Sequence, residues 1–278
     1  MITVDDIRQF EGHKTPFYFY DLQLLRRTVR RAQEQASRYG YHVHYAMKAN
    51  TDDEILRLML SEGLGVDCVS GGEVAKGIQM GFDPKKIAFA GVGKTDDEIK
   101  MAIERFADAG FRVEHINAGG GLGINYDTPD SENDPDFERF FALFDELLDL
   151  GPGQELHFEL GRSLVAHCGD LITRALYVKK GVKTNFLILD AGMTELIRPA
   201  LYQAIHRIEN LTRRGNGIDE RYDVVGPVCE SSDCFGKAMP LPESERGDLI
   251  AIRSAGAYGA SMASNYKLRQ LEPSVYRK

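Results

Sequence analysis

The sequence has no apolar run long enough to cross a bilayer, and its opening, Met1-Ile2-Thr3-Val4-Asp5-Asp6, lacks the basic and apolar regions of a secretory signal. A cytoplasmic protein without a membrane partner is the expectation. Basic runs are missing as well: 34 Lys and Arg stand against 42 Asp and Glu, giving a net charge of −8. That balance argues against nucleic acid or an anionic surface and favours small molecules as partners. Cysteine is sparse, and Cys68, Cys168, Cys229 and Cys234 form no CxxC pair. Neither a zinc site nor a disulfide framework is expected; buried free thiols are the plain reading for all four, with no metal assigned. A glycine run is present, but the G-x-G-x-x-G spacing of a dinucleotide site is not.

What is there suffices for a sizeable core, since 43% of the 278 residues are hydrophobic, and the length allows one or two domains. Phe17-Tyr18-Phe19-Tyr20 reads as a strand. Asp21 then caps a helix whose apolar positions Leu22, Leu25, Val29, Ala32 and Ala36 share one face, ending at Gly40. A strand–helix alternation follows: strand 41–47, helix 51–62 with a Thr51-x-x-Glu54 capping box, strand 66–69, helix 73–80, strand 87–90 and a helix from Thr95. Such alternation predicts a parallel sheet with right-handed crossovers. Strands 113–117 and 155–159 flank a helix starting at Asp134-Pro135, whose Phe137, Phe140, Phe141 and Phe144 form a core stripe. Beyond Ser163 the pattern becomes β-rich (171–179, 185–189, 222–225, 249–253), which predicts a second, mainly antiparallel β domain.

The stretch that organises the rest is His44-Tyr45-Ala46-Met47-Lys48-Ala49-Asn50, an apolar strand delivering one lysine at its C-terminal end. A lone lysine there is usually a solvated surface residue. In a parallel α/β fold, however, strand C-termini gather site residues, and a partly desolvated lysine can form a Schiff base with a carbonyl. Asn117-Ala118-Gly119-Gly120-Gly121-Leu122-Gly123 after a strand lets backbone N–H groups approach a phosphate, although a bare turn reads equally well. Glu159-Leu160-Gly161-Arg162 sets an acid beside a guanidinium at another strand end, where the plain reading is a local ion pair. Arg198-Pro199-Ala200-Leu201-Tyr202, Cys229-Glu230-Ser231-Ser232-Asp233 and Ser254-Ala255-Gly256-Ala257-Tyr258-Gly259 are polar clusters inside the β-rich part.

Taken in this order, HYAMKAN, GVDCVSGGE, FAGVGK, GGGLG, HFELGR, DAGMTELIRPALY, CESSD and SAGAYG resemble the diaminopimelate decarboxylases, a family of alanine-racemase-like (fold type III) pyridoxal-phosphate enzymes. The resemblance covers nearly the whole chain; HFELGR, DAGMTELIRPALY, CESSD and SAGAYG are its specific elements, CESSD setting the family apart from the related ornithine and arginine decarboxylases. It implies pyridoxal 5'-phosphate as cofactor, a (β/α)8 barrel over 21–162, and a β domain from 1–20 and 163–278. It implies that Lys48 is the Schiff-base lysine, that Gly120, Gly121 and Gly123 with Glu159, Gly161, Arg162 and Tyr258 form the cofactor site, and that Glu159 keeps the pyridine nitrogen protonated. Substrate carboxylates would fall to Arg162, Arg198 and Tyr202, with Tyr258 touching the substrate as well. Glu230 would take the distal ammonium group, and Cys229 would return a proton to the α-carbon. It also implies a homodimer in which Cys229 and Glu230 reach into the neighbour's site.

One departure stands out. Only five strands are recognisable between Lys48's strand and Arg162, where a closed barrel needs eight and about 250 residues. About three βα units are expected to be missing near 104–111, and with them the family's His-x-Gly-Ser motif. His42, His44 and His115 lack the Gly-Ser and read as structural histidines. Two readings follow: a lysine-forming decarboxylase impaired by the gap, or a catalytically silent remnant that binds cofactor or a partner.

Overall fold

Strand Glu155–Leu160 (β6) shows how the alternation of side chains sorts this chain. Leu156, Phe158 and Leu160 are buried, while Glu155, His157 and Glu159 point to the opposite face. It pairs in parallel with His42–Ala46 (β2) on one side and His115–Asn117 (β5) on the other. Gly65–Cys68 (β3) and Ile87–Phe89 (β4) extend the sheet beyond β2. The result is a five-stranded parallel sheet in the order β4-β3-β2-β6-β5. The computed structural model describes residues 1–89, 114–217 and 220–278. The predicted helix from Thr95, the FAGVGK stretch beyond Phe89 and the 104–111 junction lie outside the described residues.

Val4–Glu11 is α1, whose Phe10 packs edge-on against Phe17 and Phe19 and not on this sheet. Leu22–Ser37 is α2, in which Leu25, Val29, Ala32 and Ala36 are all buried. Asp53–Ser61 (α3) is capped by Asp52, whose side chain accepts from the N–H groups of Glu54 and Ile55. This corrects the expected Thr51 capping box: Asn50 Oδ1 takes the Asp52 N–H at 2.9 Å, which sets the chain one residue further on before the helix begins. Gly71–Met80 (α4) follows a Ser70 cap. Phe137–Leu147 (α5) starts at an Asp136 cap, two residues after the expected Asp134. Its stripe packs on β6: Phe140, Phe141 and Phe144 hold the Phe158 ring edge-on at 5.5, 5.0 and 4.7 Å between centroids.

A separate eight-stranded mixed sheet collects Phe17–Asp21 (β1), Gly169–Lys180 (β7), Asn185–Leu189 (β8), Ile208–Asn210 (β9), Glu220–Val225 (β10), Cys234–Leu241 (β11), Leu249–Ile252 (β12) and Val275–Arg277 (β13). Two short helices, Arg162–Val165 (α6) and Arg198–Tyr202 (α7), complete the described helices. β1–β13 and β8–β10 run parallel and the other ladders antiparallel. Phe10, Phe17, Phe19, Ile172, Leu249, Ala251 and Val275 form a core against it. The compact units divide as 1–25, 124–134 and 165–278 around this sheet, and 26–123 with 135–164 around the parallel one. Within the β unit Arg253 is fully enclosed and bonded to Asp170 (3.0 Å), Asp130 (2.8 Å) and Glu209 (3.1 Å), so its burial leaves no unpaired cation.

Phe158→Ala removes the ring on which the α5 stripe closes, and should cost about 3–5 kcal/mol of unfolding free energy. Leu147→Ala, at an 81% exposed position of the same helix, should stay within about 0.5 kcal/mol. Urea unfolding of the two variants checks the contrast.

Candidate active site

The candidate site residues fall into two groups, one in each unit. In the parallel-sheet unit the strand ends hold Lys48, Asp67 and Glu159. β2 ends in a single 3₁₀ turn, Met47–Ala49, fixed by the Tyr45 hydroxyl donating to Asn50 O at 2.7 Å and by Asn50 N–H donating to Met47 O at 3.1 Å. That turn lifts Lys48 out of the strand as a half-buried side chain. Gly161 sits against it: a Cβ there would come 3.0 Å from Ala49 Cβ. Arg162, half-buried, opens α6 directly after.

The glycine run is tied to β6 by main-chain bonds. Ala118 N–H donates to His157 O (2.9 Å) and Glu159 N–H donates to Gly119 O (2.7 Å), which prolongs the ladder past the end of β5. Gly120 then lies so close that a Cβ would be 2.4 Å from Glu159 O, and Gly121 adopts φ +105° with open space beside it. Asn117 locks both sides of this arrangement. Its Oδ1 accepts the Gly119 N–H at 2.8 Å, and its Nδ2 donates to Glu159 Oε1. Gly123 ends the segment, also with open space where a side chain would stand.

Asp67 is the residue that reading the sequence missed. It is 1% exposed, opposite Ala46 in the ladder, and neither carboxylate oxygen has a hydrogen bond among the described residues. Burial, then the negative charge of Glu159, push its carboxyl up to about 6, with Lys48 pulling the other way. The signal was an acid inside the apolar run Val66-Asp67-Cys68-Val69. Asn117 was visible only as the start of a glycine segment, because its bond to Glu159 is non-local.

The β unit carries the second group. Arg198 opens α7 and is 5% exposed, its guanidinium 5.1 Å from the Tyr126 ring centroid, with Nη1 donating to Tyr126 Oη at 2.8 Å. His206 Nδ1 donates to Arg253 O (2.9 Å), so its Nε2 is the acceptor facing Arg198 Nη1 at 3.1 Å. Tyr202, at the other end of α7, is 62% exposed. The CESSD loop is built around Asp233, whose carboxylate accepts the N–H groups of Val228 (2.6 Å) and Met193 (2.7 Å). This turns Cys229 and Glu230 outward, and Glu230 accepts the Tyr266 hydroxyl at 2.8 Å. Cys229 is exposed and Cys234 half-buried, which corrects the expectation of four buried thiols; only Cys68 and Cys168 are buried. Tyr258 stands half-buried at φ +56°, four residues past Ser254, whose hydroxyl meets His167 Nδ1 at 2.8 Å.

The described residues thus comprise a parallel sheet bearing a lysine and two acids at its strand ends and a separate mixed-sheet unit. A family model described as "Pyridoxal-dependent decarboxylase, C-terminal sheet domain" matches residues 17–256, and the chain belongs to the pyridoxal-dependent decarboxylase family. Its relatives are diaminopimelate decarboxylases: that of Bacteroides thetaiotaomicron is 39% identical over 95% of this chain and 96% of the relative, and that of Helicobacter pylori 30% identical over 94% and 89%. The first alignment spans 372 positions, more than this chain has residues, so part of the relative faces a gap. The crystal structure of the H. pylori enzyme complexed with L-lysine superposes with a TM-score of 0.85 at 28% identity, covering 98% of this chain and 94% of that one. A lysine/ornithine decarboxylase from Vibrio vulnificus shares the fold at TM-score 0.83 and 16% identity. The residues here fit the family's cofactor: Asp67 offers buried carboxylate oxygens with no hydrogen bond among the described residues, and the backbone at Gly121 and Gly123 leaves open space where a side chain would stand.

Asp67 makes stability depend on pH. With its folded value near 6 and its ordinary value at 3.8, the folded chain binds more protons between them, so this group lowers stability as pH rises through that window. Asp67→Asn should flatten the slope there, a change on the order of 2 kcal/mol across it. Urea unfolding at several pH values tests this; an unchanged slope would assign the pH dependence to other groups.

Proposed function

We propose that this chain is a pyridoxal-phosphate-dependent carboxy-lyase that converts meso-2,6-diaminopimelate to L-lysine and carbon dioxide in the cytoplasm. The observation that carries the reading is the 39% identity to a diaminopimelate decarboxylase over 95% of the chain. The cofactor, when bound, supplies an electron-accepting ring conjugated to the substrate nitrogen. Lys48 Nζ would hold it covalently, the backbone at Gly120, Gly121 and Gly123 with Gly161 and Arg162 would cradle its phosphate, and Tyr258 would be a further cofactor contact. Glu159 keeps a proton on the ring nitrogen, and Asn117, bonded to the same carboxylate, fixes the orientation of that acid.

Arg162, Arg198 and Tyr202 bind substrate carboxylates, with Tyr258 in contact as well, and Glu230 takes the distal ammonium. The cation–π and hydrogen-bonded setting of Arg198 supports this role, because it fixes the guanidinium before a ligand arrives. Cys229 Sγ would be the acid that supplies a proton to the substrate's α-carbon. The outward position of Cys229 and Glu230 supports a homodimer in which each serves the partner's site.

On the same reading, the parallel-sheet unit (21–162) is a (β/α)8 barrel lacking about three βα units near 104–111, and 1–20 with 163–278 form the β domain. Loss of that arc weakens cofactor binding relative to a full-length family member.

Incubation of the purified chain with pyridoxal phosphate and meso-diaminopimelate should yield lysine. Lys48→Ala should lose the borohydride-fixed cofactor and all turnover, whereas Glu159→Gln should keep the fixed cofactor and lose on the order of 10²-fold or more in rate. Fixed cofactor without lysine from the unmodified chain would select the silent-remnant reading.

A further inference from the structure

Four histidines and a glutamate converge on the polar face of the parallel sheet, at the end opposite Lys48. The ladder brings them there: His42 on β2 stands opposite His157 on β6, and His115 on β5 opposite Glu155 on β6. Each is at the phase of its strand that faces away from the Phe158 packing. Reading the sequence took His42, His44 and His115 one at a time as structural and gave His157 no role, because nothing local joins residues 42, 115 and 157.

The donor atoms have the spacing of a coordination site. His42 Nε2 lies 3.6 Å from Glu155 Oε2, His157 Nε2 lies 3.7 Å from the same oxygen, and donor atoms of the three residues all fall within 4.8 Å of one another. His115 Nδ1 stands 3.3 Å from Glu155 Oε2 and 3.1 Å from His157 Nε2. Tetrahedral zinc, with bonds of about 2.0–2.1 Å to nitrogen and oxygen, holds its ligand atoms about 3.3 Å apart. Rotation of the exposed His42 and His115 side chains supplies the small contraction required.

The surroundings are arranged as a ligand histidine needs. His157 Nδ1 faces His44 Nε2 at 3.0 Å, which fixes the ring and leaves Nε2 as the nitrogen directed at Glu155 and His115. His42 stacks on the His157 ring at 4.8 Å, so both present their edges to the same space. Imidazoles with one carboxylate select zinc-like divalent transition metals over magnesium or calcium, which prefer all-oxygen sets.

We propose that His42, Glu155 and His157 form a binding site for a divalent transition metal of the zinc class, with His115 as fourth donor and His44 positioning His157. The site cross-links β2, β6 and β5. His42 opens β2 and Lys48 follows its end, a separation on the order of 15 Å, so the metal stands apart from Lys48 and serves the sheet's stability, while His44, opposite Glu159 in the ladder, lies between the two sites.

Cobalt titration of the tag-free full chain, stripped with EDTA, tests the site. One equivalent of Co²⁺ should give the visible absorption of a tetrahedral site, Zn²⁺ should displace it, and Zn²⁺ should raise the thermal unfolding midpoint. His42→Gln and Glu155→Gln, both at exposed positions, should each lose stoichiometric binding while unfolding in EDTA like the parent. His44→Gln should weaken it about 10-fold. His13→Gln, exposed in the other unit, should change nothing. Absence of a one-equivalent Co²⁺ complex, or its survival in a His42→Gln/Glu155→Gln double variant, would overturn the proposal.

Discussion

The constraint on which the parallel-sheet unit depends is the two-sidedness of β6. An interior strand of a parallel sheet is commonly apolar on both faces, because helices usually cover both. Here Leu156, Phe158 and Leu160 bury against helices while Glu155, His157 and Glu159 face the other way. The apolar phase fixes the register, since a slip of one residue would bury the charges and expose Phe158. Once that phase is fixed, the polar phase follows, and every candidate chemical group of this unit lies on it or at its C-terminal end. Packing on one side thus determines chemistry on the other.

The two units hold buried carboxylates in different ways, and the difference bears on role. Asp233 accepts two backbone N–H groups, so although burial raises its pKa the charge is anchored and shapes the CESSD loop. Asp67 is more deeply buried and has no hydrogen bond among the described residues. A buried acid whose carboxyl is pushed up by burial and by Glu159, with a lysine near it at a strand mouth, is a candidate site residue more than a structural one. Asp233 is architecture; Asp67 is held in reserve.

What could be read in the sequence was what depends on neighbours in the chain. The α2 face, the aromatic stripe of α5, the strand carrying Lys48 and the glycine run are all set by local periodicity or composition. The caps were misplaced by one or two residues because several acids and hydroxyls compete near each helix start: Asn50 decides between Thr51 and Asp52 by bonding the latter's N–H. Strands β9, β11 and β13 escaped notice, β11 because Gly236 and Pro240 disguise it, the other two because three residues carry no period. Asp67 beside Glu159, Asn117 on Glu159, and the histidine cluster are all products of strand pairing across 42 residues or more, or between separate βα units. Cys229 was read as buried because free cysteine usually is; the Asp233 bonds that turn it outward are visible only once the loop is folded.

The strand order also bears on how much of a site five strands can keep. β4 and β5 follow one another among the described strands yet lie at opposite edges, so the sheet consists of two arms meeting at the β2–β6 ladder. Neighbouring strands in a parallel sheet are usually joined by a single crossover, and β4 to β5 is the one step here that is not. On the reading proposed above, the missing arc lies between those two edges. Asp67 and Glu159 belong to β3 and β6, and Lys48 follows β2 directly; each of these strands is paired on both sides, and they are the strands furthest from the gap. The groups that this reading assigns to the cofactor's aldehyde and ring nitrogen therefore lie on, or directly after, the interior strands of the sheet. On the same reading, the expected cost of the missing arc falls on cofactor affinity before it falls on the placement of Lys48.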